Sequence, residues 1–261
     1  YVPNPSLAEI YLFGELRPNA VMRIFKSIDL IFETFYHKSK TYSVEDASWL
    51  YTKKTISRQQ ALENTIKKKK YKVLEAIYKK DIFINNIKFP SLKNLFSLLK
   101  KELDLLENER PLHIGHGDLC FNNILVDPIF GKINLIDPKA EKHPIHNIYG
   151  LIDNYYDLAK LNHSIEGLYD SIVNNLYCLK IFDNNNVSLQ IYKPKEYKIY
   201  NNYFREILCE KRINYDELRL LTANLFLTML PLHSEDEKRI IVLSLIGSLL
   251  LQKKSLETIM L

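Results

Sequence analysis

The sequence predicts an α+β fold that is mainly helical, and three observations carry that expectation. Long stretches place apolar residues at three- and four-residue spacing, as helices with one buried face require. One short region, residues 112–136, reads instead as strand, loop, strand, turn, strand, with Ile, Leu and Val clustered in it. The length, 261 residues with 46% hydrophobic and 26% charged content, suffices for a sizeable core in one large domain or two small ones. No internal repeat of solenoid period is present. No clean linker divides residues 15–261, so the chain reads as a connecting segment, 1–14, followed by one lobe.

The segment 1–14 opens with two prolines, which favour an extended start, and ends at Gly14, which can stop a short apolar run. From Pro18 to about His37, residues Val21, Ile24, Phe25, Ile28, Ile31, Phe32 and Phe35 trace one helix face. Ser43-Val-Glu-Asp46 has the form of a capped helix start. Further helices are expected over 57–79 and, after Pro90, over 91–107, with an extended link or hairpin at 81–89. The texture then changes. Strands are expected at 112–116, 123–126 and 133–136, the last two joined by the turn Asp127-Pro-Ile-Phe-Gly131-Lys. A long helix follows from Asp157 to about Leu176, with a loop or small hairpin around Val187 to Tyr192. Helices resume at 203–209, 215–229 and 234–251; Pro231 separates the last two, and Ser234-Glu-Asp-Glu237 reads as the final cap.

Composition excludes several function classes. The net charge is only +5 and the basic residues are scattered, whereas a nucleic-acid footprint gathers them on one face. Lys67 to Lys70 read as the solvated side of a helix. Cys120, Cys178 and Cys209 are odd in number and far apart, neither a disulfide framework nor a metal set, which suits a reducing cytoplasm. No apolar run reaches the roughly 18 residues of a membrane span. The longest, near Ile240 to Leu251, is interrupted by Ser244, Gly247 and Ser248. The seven glycines build neither Gly-x-Gly-x-x-Gly nor a Walker-type loop.

The chemistry concentrates in His116-Gly-Asp-Leu-Cys-Phe-Asn-Asn123 and in Asp137, fourteen residues further on. Phosphoryl transfer from a magnesium nucleotide needs a carboxylate to receive the proton of an attacking hydroxyl, and oxygen ligands for the metal that bridges the phosphates. Asp118 suits the first task, and small Gly117 beside it permits a tight loop. Asn123 offers a neutral oxygen and Asp137 an anionic one, a sufficient protein share for a cation that keeps several waters. His116 is expected to support the loop, through backbone or Asp137. Lys139 is placed to touch a phosphate or an acidic substrate, a plain surface lysine being the equal alternative. The pairs His113-x-x-His116 and His143-x-x-His146 have the ligand type for zinc but not its usual helical spacing, and no thiolate joins them.

These residues resemble the aminoglycoside phosphotransferase and choline kinase family, which shares the protein-kinase-like fold. The matching positions are His116, Gly117, Asp118, Leu119, Asn123, Ile124, Leu125, Ile136 and Asp137. The run from Tyr155 through Asp157 and Lys160 to Asp170 looks like the helix after the metal aspartate. Together with residues 225–234 it looks most like members found with bacterial capsule and surface-polysaccharide genes. The opening Tyr1-Val-Pro resembles their hinge between lobes. Cys120 departs from the pattern, standing where a His is common, and so does Pro138-Lys139, standing where an aromatic residue or Gly is frequent. The resemblance implies a kinase-like carboxy-terminal lobe with a small catalytic hairpin. It makes Asp118 the base and Asn123 and Asp137 the Mg2+ ligands. The nucleotide is ATP, and the substrate is a small-molecule hydroxyl on a sugar, polyol or amino-alcohol. An amino-terminal nucleotide lobe is expected upstream of Tyr1. Helical inserts at 40–107 and 180–215 would shape the acceptor pocket, with Tyr155, Tyr156 and Asp157 on the acceptor side or supporting the loop. The competing expectations are a catalytically inactive binding module of the same fold, and a kinase-fold enzyme that acts on protein or transfers a nucleotide.

Overall fold

A computed structural model describes residues 4–37, 43–106, 108–139, 142–144, 146–183 and 185–259. In chain order the first elements are α1 (Leu7–Phe13), α2 (Pro18–Phe32), β1 (Ser43–Glu45), α3 (Thr52–Lys69) and α4 (Lys72–Lys79). Then come β2 (Ile82–Ile84), β3 (Ile87–Phe89), α5 (Leu92–Leu106), β4 (Arg110–Ile114), β5 (Ile124–Val126), β6 (Ile133–Leu135) and β7 (Leu151–Asp153). The remainder are α6 (Asn154–Ile165), α7 (Tyr169–Val173), β8 (Tyr177–Asp183), β9 (Asn186–Ile191), α8 (Tyr197–Glu210), α9 (Tyr215–Met229) and α10 (Glu237–Leu251). The fold is α+β and mainly helical, with three small sheets among the described residues. The chain forms two compact units, each assembled from three stretches.

The first unit comprises 1–45, 109–166 and 194–218. Its α1 starts in a capping box: Ser6 Oγ accepts from Glu9 N while Glu9 accepts from Ser6 N (2.8 Å). Pro18 opens α2, where its missing N–H costs nothing, and Val21, Ile24, Phe25 and Ile28 bury the inner face. β4 is the centre of an antiparallel sheet ordered β1-β4-β7, with Leu112 opposite both Ser43 and Asp153. β5 and β6 form a separate hairpin, Leu125 opposite Asn134. Its turn closes because Asp127 Oδ1 accepts from the amides of Ile129 and Phe130 and Gly131 takes the left-handed conformation. The core is aromatic: Tyr11 packs edge-on against Phe121 with centroids 5.2 Å apart, and Tyr200 lies against Tyr11, Phe25 and Phe121. Edge and tilted ring contacts of this kind add to what area burial contributes.

The second unit comprises 46–108, 167–193 and 219–261. It holds a sheet ordered β3-β2-β9-β8, in which only the β2–β9 pair is parallel. The β2–β3 hairpin turns on Asn85 and Asn86, both at positive φ, where Asn is better tolerated than most residues. The Asn85 side chain then bonds both the N–H and the C=O of Leu189, 3.0 Å each. Leu95, Phe96, Leu99 and Leu103 of α5 and Ile240 to Leu251 of α10 build the apolar core.

Several expected boundaries are corrected. Ser43–Glu45 is a strand paired to β4, not a helix cap, and the next helix starts at Thr52. The stretch read as one helix over 57–79 is two, because Lys70 is left-handed (φ 54°). The helix expected from Asp157 to Leu176 ends at Ile165, with Leu168 left-handed before α7, and Leu176 leads into β8. Asp236, not Ser234, caps α10 by accepting from Arg239 N (3.1 Å). Residues 7–13 of the segment read as a hinge are helical, and Tyr1 to Pro3 lie outside the described residues.

Candidate functional site

β4 ends at Ile114 and delivers the chain into the loop 115–120. Gly117 takes φ +77°, and a Cβ there would stand 2.6 Å from the carbonyl oxygen of Lys139. Only glycine lets the loop approach the segment after β6 so closely. The approach is fixed by backbone bonds from Lys139 N to His116 O (2.8 Å) and from Ile136 N to Asn123 O (3.0 Å). The His116 ring adds to it by donating from Nε2 to Ile136 O (3.0 Å), while its Nδ1 accepts from Asp118 N (3.3 Å). His116 thus supports the loop through backbone, not through Asp137.

Asn123 closes the loop from its other end. Its Nδ2 donates to the carbonyl oxygen of Asp118 (2.8 Å), which orients the amide and leaves Oδ1 free of hydrogen bonds among the described residues. Phe121 anchors the intervening turn in the aromatic core between Tyr11 and Tyr200. Asp137 follows β6 in the left-handed conformation, φ 54°, and its side chain is exposed and without a hydrogen bond or ion pair among the described residues. A non-glycine residue held there is found at functional sites more often than elsewhere. The structure therefore laces His116, Asp118, Asn123 and Lys139 into one hydrogen-bonded cluster. Asp137 adjoins it through Ile136, with no bond from its own carboxylate. The Lys139 side chain is exposed.

The loop rests on α6. Asp157 is fully buried, and its two carboxylate oxygens accept from the backbone amides of His116 (2.8 Å) and Gly117 (2.9 Å). One turn on, Lys160 Nζ stands 2.8 Å from Asp118 Oδ1, with side-chain exposures of 11% and 26%. One further turn on, Ser164 Oγ accepts, at a long 3.4 Å, from Phe121 N. Asp157, Lys160 and Ser164 share one helix face, at spacings of three and four. Tyr155 is engaged elsewhere, its hydroxyl accepting from Asn214 N and its ring lying under the Arg110 guanidinium, while Tyr156 is buried.

The electrostatics follow from this packing. Burial pushes the Asp118 carboxyl up, but the Lys160 ammonium, by its charge and its hydrogen bond and with Lys139 behind it, outweighs burial and leaves the group below the ordinary aspartate value. Burial pulls the Lys160 ammonium down; Tyr156, Asp118 and Cys120 beside it reverse this and leave it raised. His163 is pushed down to about 3, by burial first and the Lys160 charge second. An ionised carboxylate and a protonated lysine thus face each other across the mouth of the loop, with an uncharged imidazole beneath.

Sequence reasoning missed Lys160 and His163 as members of this cluster. The available signal was a helix with apolar residues on one face and Asp157, Lys160 and Ser164 on another, all of which turn out to be buried. Among the described residues no group of three or more His, Cys, Asp and Glu side chains is arranged to hold a metal. His143 and His146 stack on each other, and His113 pairs with Ile152 in the sheet. Asn123 and Asp137 carry oxygen donors of the kind magnesium takes. Among the described residues no helix is long and apolar enough to cross a membrane. Comparison with protein-family models, curated proteins and solved structures yields no match.

Proposed function

We propose that this chain carries the catalytic lobe of a protein-kinase-like phosphotransferase, which moves the γ-phosphoryl group of ATP to a hydroxyl of a sugar, polyol or amino-alcohol. A precursor of a bacterial surface polysaccharide is the acceptor context that the resemblance over residues 155–170 and 225–234 favours. The observation that supports this reading best is the closure of the loop. The Asn123 amide binds the Asp118 carbonyl, so that the proposed base and a proposed metal ligand sit on one rigid turn beside the strained Asp137.

The roles follow from the atoms. Asp118 accepts the hydrogen bond of the incoming hydroxyl and takes its proton as the oxygen bonds to phosphorus and the bond to the departing ADP breaks. A carboxylate held below its ordinary value is a weak base. It orients the hydroxyl first and receives the proton late, as a loose, dissociative transition state allows. Asn123 Oδ1 and Asp137 would hold Mg2+. When bound, that ion would offset the negative charge of the phosphates. Lys139, exposed beside the loop, would meet a phosphate oxygen.

The test is ADP formation by the full-length protein with Mg2+ and ATP, products being followed by mass spectrometry. Asp118→Asn is expected to reduce turnover about 100-fold or more, and Asp137→Ala to abolish it, each with an unchanged circular dichroism spectrum. Turnover that survives either change at the wild-type rate removes these roles.

A further inference from the structure

A buried lysine opposite the proposed base is not needed to fold α6. Lysine is among the residues least often removed from water, and on the same helix face Asp157 and Ser164 hold the backbone of the loop. Lys160 instead grips a side chain: Nζ to Asp118 Oδ1, 2.8 Å. The second oxygen, Asp118 Oδ2, has no partner among the described residues, and the Asp118 side chain is 26% exposed. An aspartate has few rotamers. Engaging one oxygen from below selects the one in which the other oxygen faces outward.

We propose that Lys160 is the positioning residue of Asp118, holding its carboxylate by Oδ1 so that Oδ2 meets the acceptor hydroxyl. This rests on the phosphotransferase reading and adds to it a residue that the loop motif does not contain. The cation comes from α6, where it is rigid: Asp157, three residues earlier, clamps the loop backbone, so one helix face fixes both the main chain at 116–117 and the carboxylate at 118. Pre-orientation of this kind acts on kcat, since the base must be placed in every productive complex, whereas a residue that binds nucleotide acts on KM.

The experiment uses the full-length protein with Lys160→Met, Lys160→Arg, Asp118→Asn and the double variant Lys160→Met/Asp118→Asn. Two readings are taken from each: the urea unfolding equilibrium, and kcat and KM for ADP formation from Mg2+-ATP. The expected result is a fall in kcat of about 100-fold in Lys160→Met with KM for ATP within about threefold. Lys160→Arg should recover a tenth or more of the wild-type kcat. The loss of folding stability in Lys160→Met should shrink severalfold when Asp118 is already Asn. An unchanged kcat, a loss confined to KM, or stability effects that simply add would each overturn the proposal. Should Lys160→Met fail to fold, the Arg and double variants decide it by the same two readings. A wild-type protein that forms no ADP overturns the phosphotransferase reading itself, and the stability coupling alone then decides the pair.

Discussion

From Ile240 to Leu251 every residue of α10 is buried, and from Tyr156 to Ile165 the same is true of α6. The two helices nevertheless use their polar residues in opposite ways. In α10 the hydroxyls turn back on their own helix, Ser244 Oγ donating to Ile241 O and Ser248 Oγ to Ser244 O, both 2.7 Å. In α6 three polar groups reach another segment: Asp157 to two loop amides, Lys160 to Asp118, Ser164 to Phe121. A buried polar group satisfied within its helix is a matter of packing. One satisfied by a distant loop makes that loop's geometry a condition of the fold, because loosening the loop strands the group without a partner.

The largest effect that this contrast predicts is at Asp157. Asp157→Ala leaves the amides of His116 and Gly117 buried and unbonded, and should cost roughly 3–5 kcal/mol in a urea titration. Asp157→Asn, which keeps one acceptor oxygen, should cost about half of that. Hydrogen exchange at residues 116 and 117 should rise in step with the loss of stability. Wild-type stability in Asp157→Ala would show that the loop is held by other means, and would erase the distinction drawn between α6 and α10.

How far the sequence discloses this difference depends on whether the cause is local. α2 and α5 are legible because apolar spacing of three and four is a property of the segment itself, and α9 and α10 because long apolar stretches are separated by Pro231 and an acidic start. The β5–β6 hairpin is legible because Asp-Pro-x-x-Gly dictates its own turn. The breaks at Lys70 and Leu168 are not, since neither residue prefers the left-handed conformation that it adopts. β1 and β7 are three residues each and exist because β4 pairs with them, which no local pattern announces. The site divides in the same way. Asp118, Asn123 and Asp137 stand out by their spacing along the loop and hairpin. Lys160 could be found only once α6 was known to lie under the loop, because the residue it pairs with is forty-two positions away.

Two glycines sharpen the comparison at the next level down. Gly117 sits at φ +77° with backbone only 2.6 Å from where a Cβ would be, so neither the torsion nor the neighbour can yield. Gly247 of α10 has ordinary helical torsions, and its Cβ would meet the Leu227 side chain at 2.9 Å, which a rotamer change can relieve. Gly117→Ala should therefore cost about 2 kcal/mol and disturb the segment around Lys139. Gly247→Ala should stay within about 1 kcal/mol of wild type, the gain in helix propensity offsetting the tight contact. Thermal unfolding of the two variants side by side reads this directly. Equal losses at both would mean that the loop is no more constrained than the helix core.

The finest distinction is between two serines given the same substitution. Ser248 Oγ donates to a carbonyl of its own helix, a bond that competes with the helical ladder and adds little. Ser248→Ala should thus lie within about 0.5 kcal/mol of wild type, alanine's better helix propensity making up for the lost bond. Ser164 Oγ accepts from Phe121 N at 3.4 Å, long for a hydrogen bond, yet it is the acceptor that α6 offers to that amide. Ser164→Ala should cost about 1 kcal/mol, because the Phe121 amide is buried among Leu119, Cys120 and Ile124 and gains no water in exchange. Exchange at the Phe121 amide is the decisive measurement. If it speeds up in Ser164→Ala while stability barely moves, the bond governs the local opening of the turn rather than the global fold. If neither changes, the contact at 3.4 Å is proximity alone, and α6 holds the loop through Asp157 and Lys160 only.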